Sequence, residues 1–327
     1  MASRHLGLGL KLIISAALLL MILSYIPLDE LASRLRGLHI RPLLAALSLI
    51  PSMVYVAATQ TKILSDRQGM TLSVWQIFRI SFITNFYSLL LPGQLAGGVV
   101  RWYKFSRQDK KPAQALATIV FSRLLSMLIS VALGIACWYS DAAARENTLL
   151  GVILLLLLLG LVFTYGIFFS GQRALRVAEV LDTRLWIPKF LRSKLGKFLR
   201  SAVKFEGLSR GRLLSIIGIL LIYHMLGIAI YYLLATAIQL DLSPINVAWV
   251  RTYVLLITMI PISVMGMGVR ESGLIYLLQT YGISPALAVG FSFLLLGRRL
   301  VMVAIGAGFE FWDFLRDKPP SAPGKVS

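Results

Sequence analysis

The chain has 327 residues, of which 57% are hydrophobic and only 14% are charged, and its mean hydropathy is +0.79. These values are typical of an integral membrane protein and exclude an ordinary soluble domain. The formal net charge is +19, and because the basic residues are spread between apolar stretches, we interpret this excess as a topology signal and not as a nucleic-acid surface.

Apolar stretches follow one another along the whole chain. Residues Met1–Leu28 combine a basic start with an apolar core and no small-residue cleavage site, so we expect an uncleaved first span. Six of the stretches predict ordinary membrane-crossing helices, and 74–100 and 247–282 are interrupted. All eight lie at 12–27, 43–61, 74–100, 116–139, 149–170, 213–239, 247–282 and 284–309.

Both interruptions contain helix-breaking residues followed by a charge. Broken helices at membrane depth persist only where protein or a water-filled cavity covers their free peptide groups, and in transporters they line substrate sites. We therefore expect both breaks to line a cavity. The residues concerned are Pro92, Gly93, Gly97 and Gly98 in the first stretch, and Pro261, Ser263, Gly266 and Gly268 in the second.

The distribution of Lys and Arg predicts the topology. Segments 101–111 and 171–212 are rich in them, whereas 140–148 and 240–246 are nearly free of them. Because positively charged loops stay in the cytoplasm, we place the first two segments inside and the other two outside. The protein then lies in the cytoplasmic (inner) membrane, crosses it several times and keeps both termini in the cytoplasm.

Under this topology each interrupted stretch is a re-entrant helical hairpin, 74–111 opening to the cytoplasm and 247–282 opening to the outside. The predicted fold is all-α, with about six full spans and two oppositely oriented hairpins. It forms a single membrane domain, 1–318, with 171–212 as a basic cytoplasmic connection, and 319–327 is predicted to be a disordered tail. The opposite orientations suggest an inverted repeat, although no residue-by-residue correspondence is convincing.

The alternative is eight spans, in which both interrupted stretches cross the membrane. This suits the arginines of 28–42 better, because the hairpin topology places them outside, and it suits the basic termini worse. Leucines in 28–42 recur at helical spacing, as in a helix that lies among lipid headgroups, and this favours the hairpins.

Several arginines fall at membrane depth beside a single acid, Glu271. An unpaired charge there costs at least a few kcal/mol, so these side chains must face partners or water. The surplus of cations, with helix amino ends directed inward at the breaks, predicts a site for a phosphate or phosphodiester. The predicted headgroup-binding residues are Arg101, Arg123, Arg270, Glu271 and Arg298.

Simpler structural interpretations remain open for these and neighbouring residues. Arg79 and Arg123 can extend to the headgroups, and Arg299 can do the same or pair with Glu310. Glu271 can merely stabilise the first turn of its own helix. His224 is more typical of a helix–helix contact than of a proton relay.

Enzyme signatures are missing from the sequence. It contains no metal-binding cluster of side chains, no GxSxG elbow and no Walker loop. With three His and one Cys, it offers little material for nucleophilic or metal-assisted catalysis. We expect no catalytic residue, no metal and no cofactor, and the single Cys137 excludes a disulfide framework.

The two interrupted motifs resemble the lysylphosphatidylglycerol synthase transmembrane (flippase-like) family over roughly 10–310. The resemblance implies an inner-membrane protein that translocates or helps to process a lipid. Larger members carry a soluble aminoacyltransferase, to which no part of this sequence corresponds. Gly98 stands where many members have an acid, so a role for that acid does not transfer. The likeness is carried by Pro92 to Arg101 with Arg123, and by Pro261, Ser263, Gly266, Gly268 and Glu271 with Gly282 following.

The leading hypothesis is a flippase-like transporter of an anionic phospholipid or an isoprenoid-linked lipid. The alternative is an accessory membrane subunit of a glycosyltransferase or lipid-modification pathway in cell-envelope biosynthesis, whose basic connection binds a cytoplasmic enzyme. A channel or solute carrier is a third possibility. No nucleic-acid partner is expected.

Overall fold

The computed structural model describes residues 28–90, 96–168, 189–206, 208–258 and 268–316, with a few positions between 171 and 179. All regular structure within those ranges is helical, which confirms the all-α prediction. In chain order the helices are α1 (Leu28–Arg36), α2 (Ile40–Arg67), α3 (Val74–Leu90), α4 (Ala96–Asp109), α5 (Pro112–Ser140), α6 (Ala142–Arg145), α7 (Thr148–Phe168), α8 (Lys189–Ala202), α9 (Arg210–Ala237), α10 (Pro244–Ile257), α11 (Val269–Gln279) and α12 (Pro285–Arg316), and one 3-10 turn covers Val203–Phe205.

Five helices are long and apolar enough to cross a membrane, namely α2, α5, α7, α9 and α12. They correspond to five of the six predicted full spans. The other predicted span, 12–27, lies outside the described residues, as does the predicted tail at 319–327. The protein is therefore a multi-pass membrane protein, as its composition predicts.

The first interrupted stretch folds back on itself as the first helical pair, α3 and α4. The two helices pack together, and a Cβ added at Gly97 would collide with the Ser88 hydroxyl, so they meet closely near the break. At the open end of the pair, the Asp109 carboxylate accepts hydrogen bonds from the backbone N–H and the hydroxyl of Thr71, at 2.8 and 2.5 Å. A stretch that crossed the membrane would have separated these two residues by its whole thickness.

The second interrupted stretch forms the second helical pair, α10 and α11. Its open end is held by Asp141, whose Oδ2 accepts hydrogen bonds from Asn246 Nδ2 and the Tyr281 hydroxyl, both at 2.6 Å. Burial and the Asp141 carboxylate raise the pKa of Tyr281, so its hydroxyl remains a donor. The pair begins three residues before the predicted Val247, because Ser243 caps α10 and Pro244 suits the first helical position.

The two helical pairs open at opposite ends of the molecule, and α5 spans the distance between their open ends. This helix starts beside the open end of the first pair, where Lys111 Nζ donates to the Gly69 carbonyl at 2.6 Å. Its 29 residues rise about 43 Å and stop beside Asp141 at the open end of the second pair. We call the Gly69–Lys111 end the basic end and the Asp141 end the opposite end. This geometry matches two oppositely oriented hairpins and not eight crossing spans.

The two halves of the protein repeat one arrangement in inverted orientation. Helices α2 and α9 both have 28 residues, and each leads through a short loop with one positive-φ residue into a helical pair. Ser73 and Ser243 begin those pairs by exchanging hydrogen bonds with Gln76 and Asn246 respectively. Helices α5 and α12 then complete the two halves. The repeat is carried by turns and caps, which explains why side-chain identity did not reveal it.

Helix α1 lies at the opposite end of the molecule. The backbone N–H of His39 donates to the Ala237 carbonyl at 2.9 Å, and the helix packs on α12 with Leu35 half-buried. The segment 28–42 thus lies at the same end as the Asp141 loop, as the hairpin topology predicts.

Helix α8 docks onto the basic end. Leu199, Ala202 and the following Phe205 are buried, and the Phe205 ring stacks on Phe121 of α5 at a centroid distance of 4.2 Å. The basic side chains at 197, 200 and 204 face away from the protein. The helix therefore presents one apolar face to the bundle and one cationic face outward.

Cysteine labelling tests the opposite orientations of the two pairs. Gln108 and Gln279 are both exposed, at the basic end and the opposite end respectively. In a Cys137→Ser background, a membrane-impermeant maleimide should label Gln108→Cys and Gln279→Cys from opposite sides of the membrane. Labelling of both positions from one side would contradict the hairpins.

Close packing of α12 on α3 supplies a second prediction. A Cβ on Gly306 would collide with the backbone carbonyl of Phe82, whereas Gly308 on the same helix has open space around it. Gly306→Ala should therefore lose about 1–3 kcal/mol of stability by overpacking. Gly308→Ala, the matched control, should be neutral or slightly stabilising because Ala favours helix. Thermal unfolding in detergent compares the two, and an equal Tm would contradict this packing.

Candidate functional site

A cavity of about 300 Å³ lies between α2, α5, α9, α10 and α12, and we call it the arginine cavity. Its lining includes Arg123 of α5, Arg251 of α10 and Arg298 of α12. The described lining residues include neither Asp nor Glu. The remaining lining is apolar or hydroxyl-bearing: Met53, Tyr223, Tyr231, Val254, Leu255 and Thr258. The cavity thus brings together two predicted site residues, Arg123 and Arg298, and one that the sequence analysis missed.

Arg251 is held by a neutral histidine. Its Nη1 donates to His224 Nδ1 at 3.0 Å, and His224 Nε2 lies 3.0 Å from the Ser126 carbonyl. Because a guanidinium only donates, Nδ1 must accept and the ring proton must sit on Nε2. Gly227 makes room, since a Cβ there would lie 2.6 Å from Arg251 Nε. His224 is therefore a helix–helix contact that also positions a cavity arginine.

Arg298 is held mainly by an aromatic ring. Its guanidinium carbon lies 5.4 Å from the centre of the Tyr231 ring, a cation–π distance. Its Nε is buried and has no acceptor within the described ranges. The two guanidinium groups of Arg298 and Arg251 are close enough to interact electrostatically. Arg298 thus carries a charge that no acid of the described chain neutralises.

Arg123 and Arg101 continue the row of cations toward the basic end. Arg123 is exposed on the cavity side of α5. Arg101 lies within electrostatic range of it and reaches Thr61 Oγ1 at 3.3 Å, with its guanidinium carbon 5.3 Å from the Phe105 ring. The Nε of Arg101 is buried with no acceptor among the residues described. Arg101 lies beside the arginine cavity and does not line it.

Arg270 and Glu271 bind each other instead of lining the cavity. Glu271 is 1% exposed, and its Oε1 accepts from Arg270 Nη2 and from the Ser292 hydroxyl, both at 2.6 Å. Its Oε2 accepts a hydrogen bond from the backbone N–H of Gly268 at 2.7 Å, and this bond caps the start of α11. This corresponds to the simpler interpretation of Glu271, and headgroup binding by these two residues stays a prediction.

The glycines that flank the breaks have different surroundings. Gly97 is packed against α3, and Gly98 faces open space. Gly268 is buried with a φ of 82°, a conformation that favours glycine. The other predicted break residues, Pro92, Gly93, Pro261, Ser263 and Gly266, lie outside the described residues.

A second cavity of about 670 Å³ lies at the basic end between the first helical pair and α12. Two ion pairs line it: Arg79 pairs with Asp313, and Lys104 Nζ lies 2.6 Å from Glu310. Arg107 also lines this cavity and forms no ion pair with the described residues. The Tyr87 hydroxyl also donates to Glu310 at 2.8 Å. Arg79 is therefore tied to α12, and Glu310 binds Lys104 and Tyr87.

Comparison with known families gives a match over residues 9–306 to the family described as Lysylphosphatidylglycerol synthase TM region. The chain belongs to this family. The resemblance inferred from the interrupted motifs is thereby confirmed, and the match includes both helical pairs and the arginine cavity. Neither the curated proteins nor the solved structures compared with the chain give a significant match. Membership of the lysylphosphatidylglycerol synthase transmembrane family relates the protein to membrane lipids.

A double-mutant cycle tests how Arg251 is held. His224→Phe keeps a ring but removes the acceptor, leaving the guanidinium unsatisfied, and should lower stability by about 1–3 kcal/mol. Adding Arg251→Met removes the stranded charge, so the double variant should recover most of the lost Tm. Additive losses in the two single variants and the double variant would show that the pair does not interact.

Proposed function

We propose that the protein is a flippase-like transporter that moves an anionic lipid headgroup across the bilayer. The observation that carries this proposal is the arginine cavity, in which three guanidinium groups converge without an acid among the lining residues. An unpaired cation at membrane depth costs at least a few kcal/mol, so three together call for an anion. A phosphate group supplies acceptors that match guanidinium donors.

The depth of the cavity supports movement across the bilayer and not merely binding at its surface. Arg298 lies near the middle of α12, and Arg123 lies near the middle of α5. Toward the basic end, Arg101 follows, and then Lys104 of the same helix, which is paired with Glu310. A headgroup can thus pass from one cationic group to the next while its tails stay in lipid.

The inverted repeat supports alternating access as the mechanism. In transporters of this kind the substrate site lies between the two repeats, which rock against each other to expose it to either side. Here Arg123 belongs to the first half, and Arg251 and Arg298 belong to the second. The site we propose therefore lies at the boundary between the repeats.

We further infer that the protein lies in the cytoplasmic membrane with its basic end and both termini in the cytoplasm. The positive-inside rule supports this orientation. The cationic face of α8 and the turn after it, with Lys197, Arg200 and Lys204 exposed, also suits the anionic lipids of a cytoplasmic leaflet. An anionic phospholipid and an isoprenoid-linked lipid both have the headgroup chemistry that the cavity requires.

The same face of α8 favours a second candidate function, an accessory subunit in cell-envelope lipid modification. Three basic side chains directed away from the bundle offer a docking surface for an acidic cytoplasmic enzyme. This candidate requires the charges of α8 and not those of the cavity. Reversal of Lys197 and Arg200 to Glu should abolish an accessory role and leave lipid movement largely intact.

Reconstitution tests the leading proposal. Proteoliposomes with fluorescent phosphatidylglycerol should move the lipid between leaflets faster than protein-free liposomes, as followed by quenching of the outer leaflet. Arg251→Gln and Arg298→Gln should each slow this movement roughly tenfold or more, because each removes one charge from a partly buried cluster. Arg145→Gln, a control at an exposed arginine of the opposite end, should behave as wild type. If the wild-type protein does not speed the movement of phosphatidylglycerol between leaflets, the proposal is wrong.

A further inference from the structure

The arginine cavity carries more positive charge than a single phosphodiester group can neutralise. Arg123, Arg251 and Arg298 contribute three positive charges to the lining, and Arg101 lies within electrostatic range of Arg123. Arg299 lies in turn within range of Arg298. One negative charge would leave most of this charge uncompensated in a medium where charge is costly.

No acid among the described residues reduces this surplus. Glu271 directly follows the second break, and its oxygens are already engaged by Arg270, Ser292 and Gly268. The other described carboxylates that form ion pairs lie at the basic end. They are Asp66, Asp313 and Glu310, which pair with Lys62, Arg79 and Lys104 respectively.

The partners that hold the cavity arginines are all neutral. Arg251 donates to a neutral His224, and Arg298 lies over the Tyr231 ring. Such contacts orient a guanidinium and leave its charge available to a ligand. Arg298 Nε is also buried without an acceptor in the described part of the chain, so no described group offsets its charge there.

We propose that the arginine cavity selects phosphate groups that carry two or more negative charges, a phosphomonoester or a diphosphate, over a singly charged phosphodiester. This rests on the proposed function for the lipid and names its headgroup class. A phosphomonoester carries about −1.5 to −2 at pH 7, whereas a phosphodiester carries one charge. The same chemistry occurs on lipid headgroups and on soluble phosphates, which the test must separate.

The experiment compares two lipids with the same tails, dioleoyl phosphatidate and dioleoyl phosphatidylglycerol, as ligands of the purified full-length protein in nanodiscs of neutral lipid. At pH 8 phosphatidate should bind roughly tenfold more tightly or better, because its additional charge faces several guanidinium groups. At pH 5 phosphatidate loses most of its second charge, so this advantage should shrink, while phosphatidylglycerol binding should change little.

Variants connect the preference to the cavity. Arg123→Gln and Arg298→Gln should each reduce the phosphatidate advantage more than they reduce phosphatidylglycerol binding. Arg123 is exposed, so its variant keeps the test informative even if Arg298→Gln fails to fold. Arg145→Gln, far from the cavity on α6, should leave the advantage unchanged. An advantage that survives in both cavity variants would overturn the assignment.

The outcomes separate this inference from the proposed function. Equal affinity for the two lipids at both pH values overturns the inference, and movement of phosphatidylglycerol in proteoliposomes would still support a flippase. Inorganic pyrophosphate that displaces phosphatidate supports one shared site for both sources. Tight binding of pyrophosphate without binding of either lipid supports the charge class and contradicts the proposed lipid transport.

Discussion

Two helical pairs that stop inside the bilayer depend on protein covering their free peptide groups. Lipid offers no hydrogen bonds, so every exposed N–H at a helix start must find an acceptor within the protein. Glu271 supplies one for Gly268, and this explains why a carboxylate is placed where burial is nearly complete. At the open ends, Asp109 and Asp141 hold the two ends of each helical pair together. The long helices then pack around these fixed pairs.

Four arginines in the interior have different partners, and the partners distinguish a charge that is neutralised within the protein from one that is not. Arg270 has an acid, so it adds no net charge to its surroundings. Arg101 has a hydroxyl and a ring, and Arg251 has a neutral imidazole. Arg298 lies over a ring, and its Nε, like that of Arg101, has no acceptor among the described atoms. Burial alone therefore does not distinguish an arginine whose charge an acid neutralises, such as Arg270, from one with neutral partners, such as Arg298.

Apolar length and loop charge predicted the spans and the opposite orientation of the two pairs because both follow from the solvent properties of a bilayer. Arginines at membrane depth led us to expect Arg123 and Arg298 in one interior site, and both line the arginine cavity, while headgroup binding by them stays a prediction. Arg251 was not predicted, because it lies in α10 before the second break and not at the break itself. Its position inside an apolar stretch was an available signal. The pairing of Glu271 with Ser292 was not predictable, since residues of two helices meet there only after folding.

The inverted repeat is symmetric in backbone and asymmetric in charge. Arg101 follows Gly98 at the spacing by which Glu271 follows Gly268, so one pair carries a cation where the other carries an acid used for its own cap. The cavity cations come from both halves, so relative movement of the halves changes the distances between them. Like charges oppose their convergence, and a bound anion favours it. In the proposed function, the anion is thus the partner that makes the two halves energetically dependent on each other.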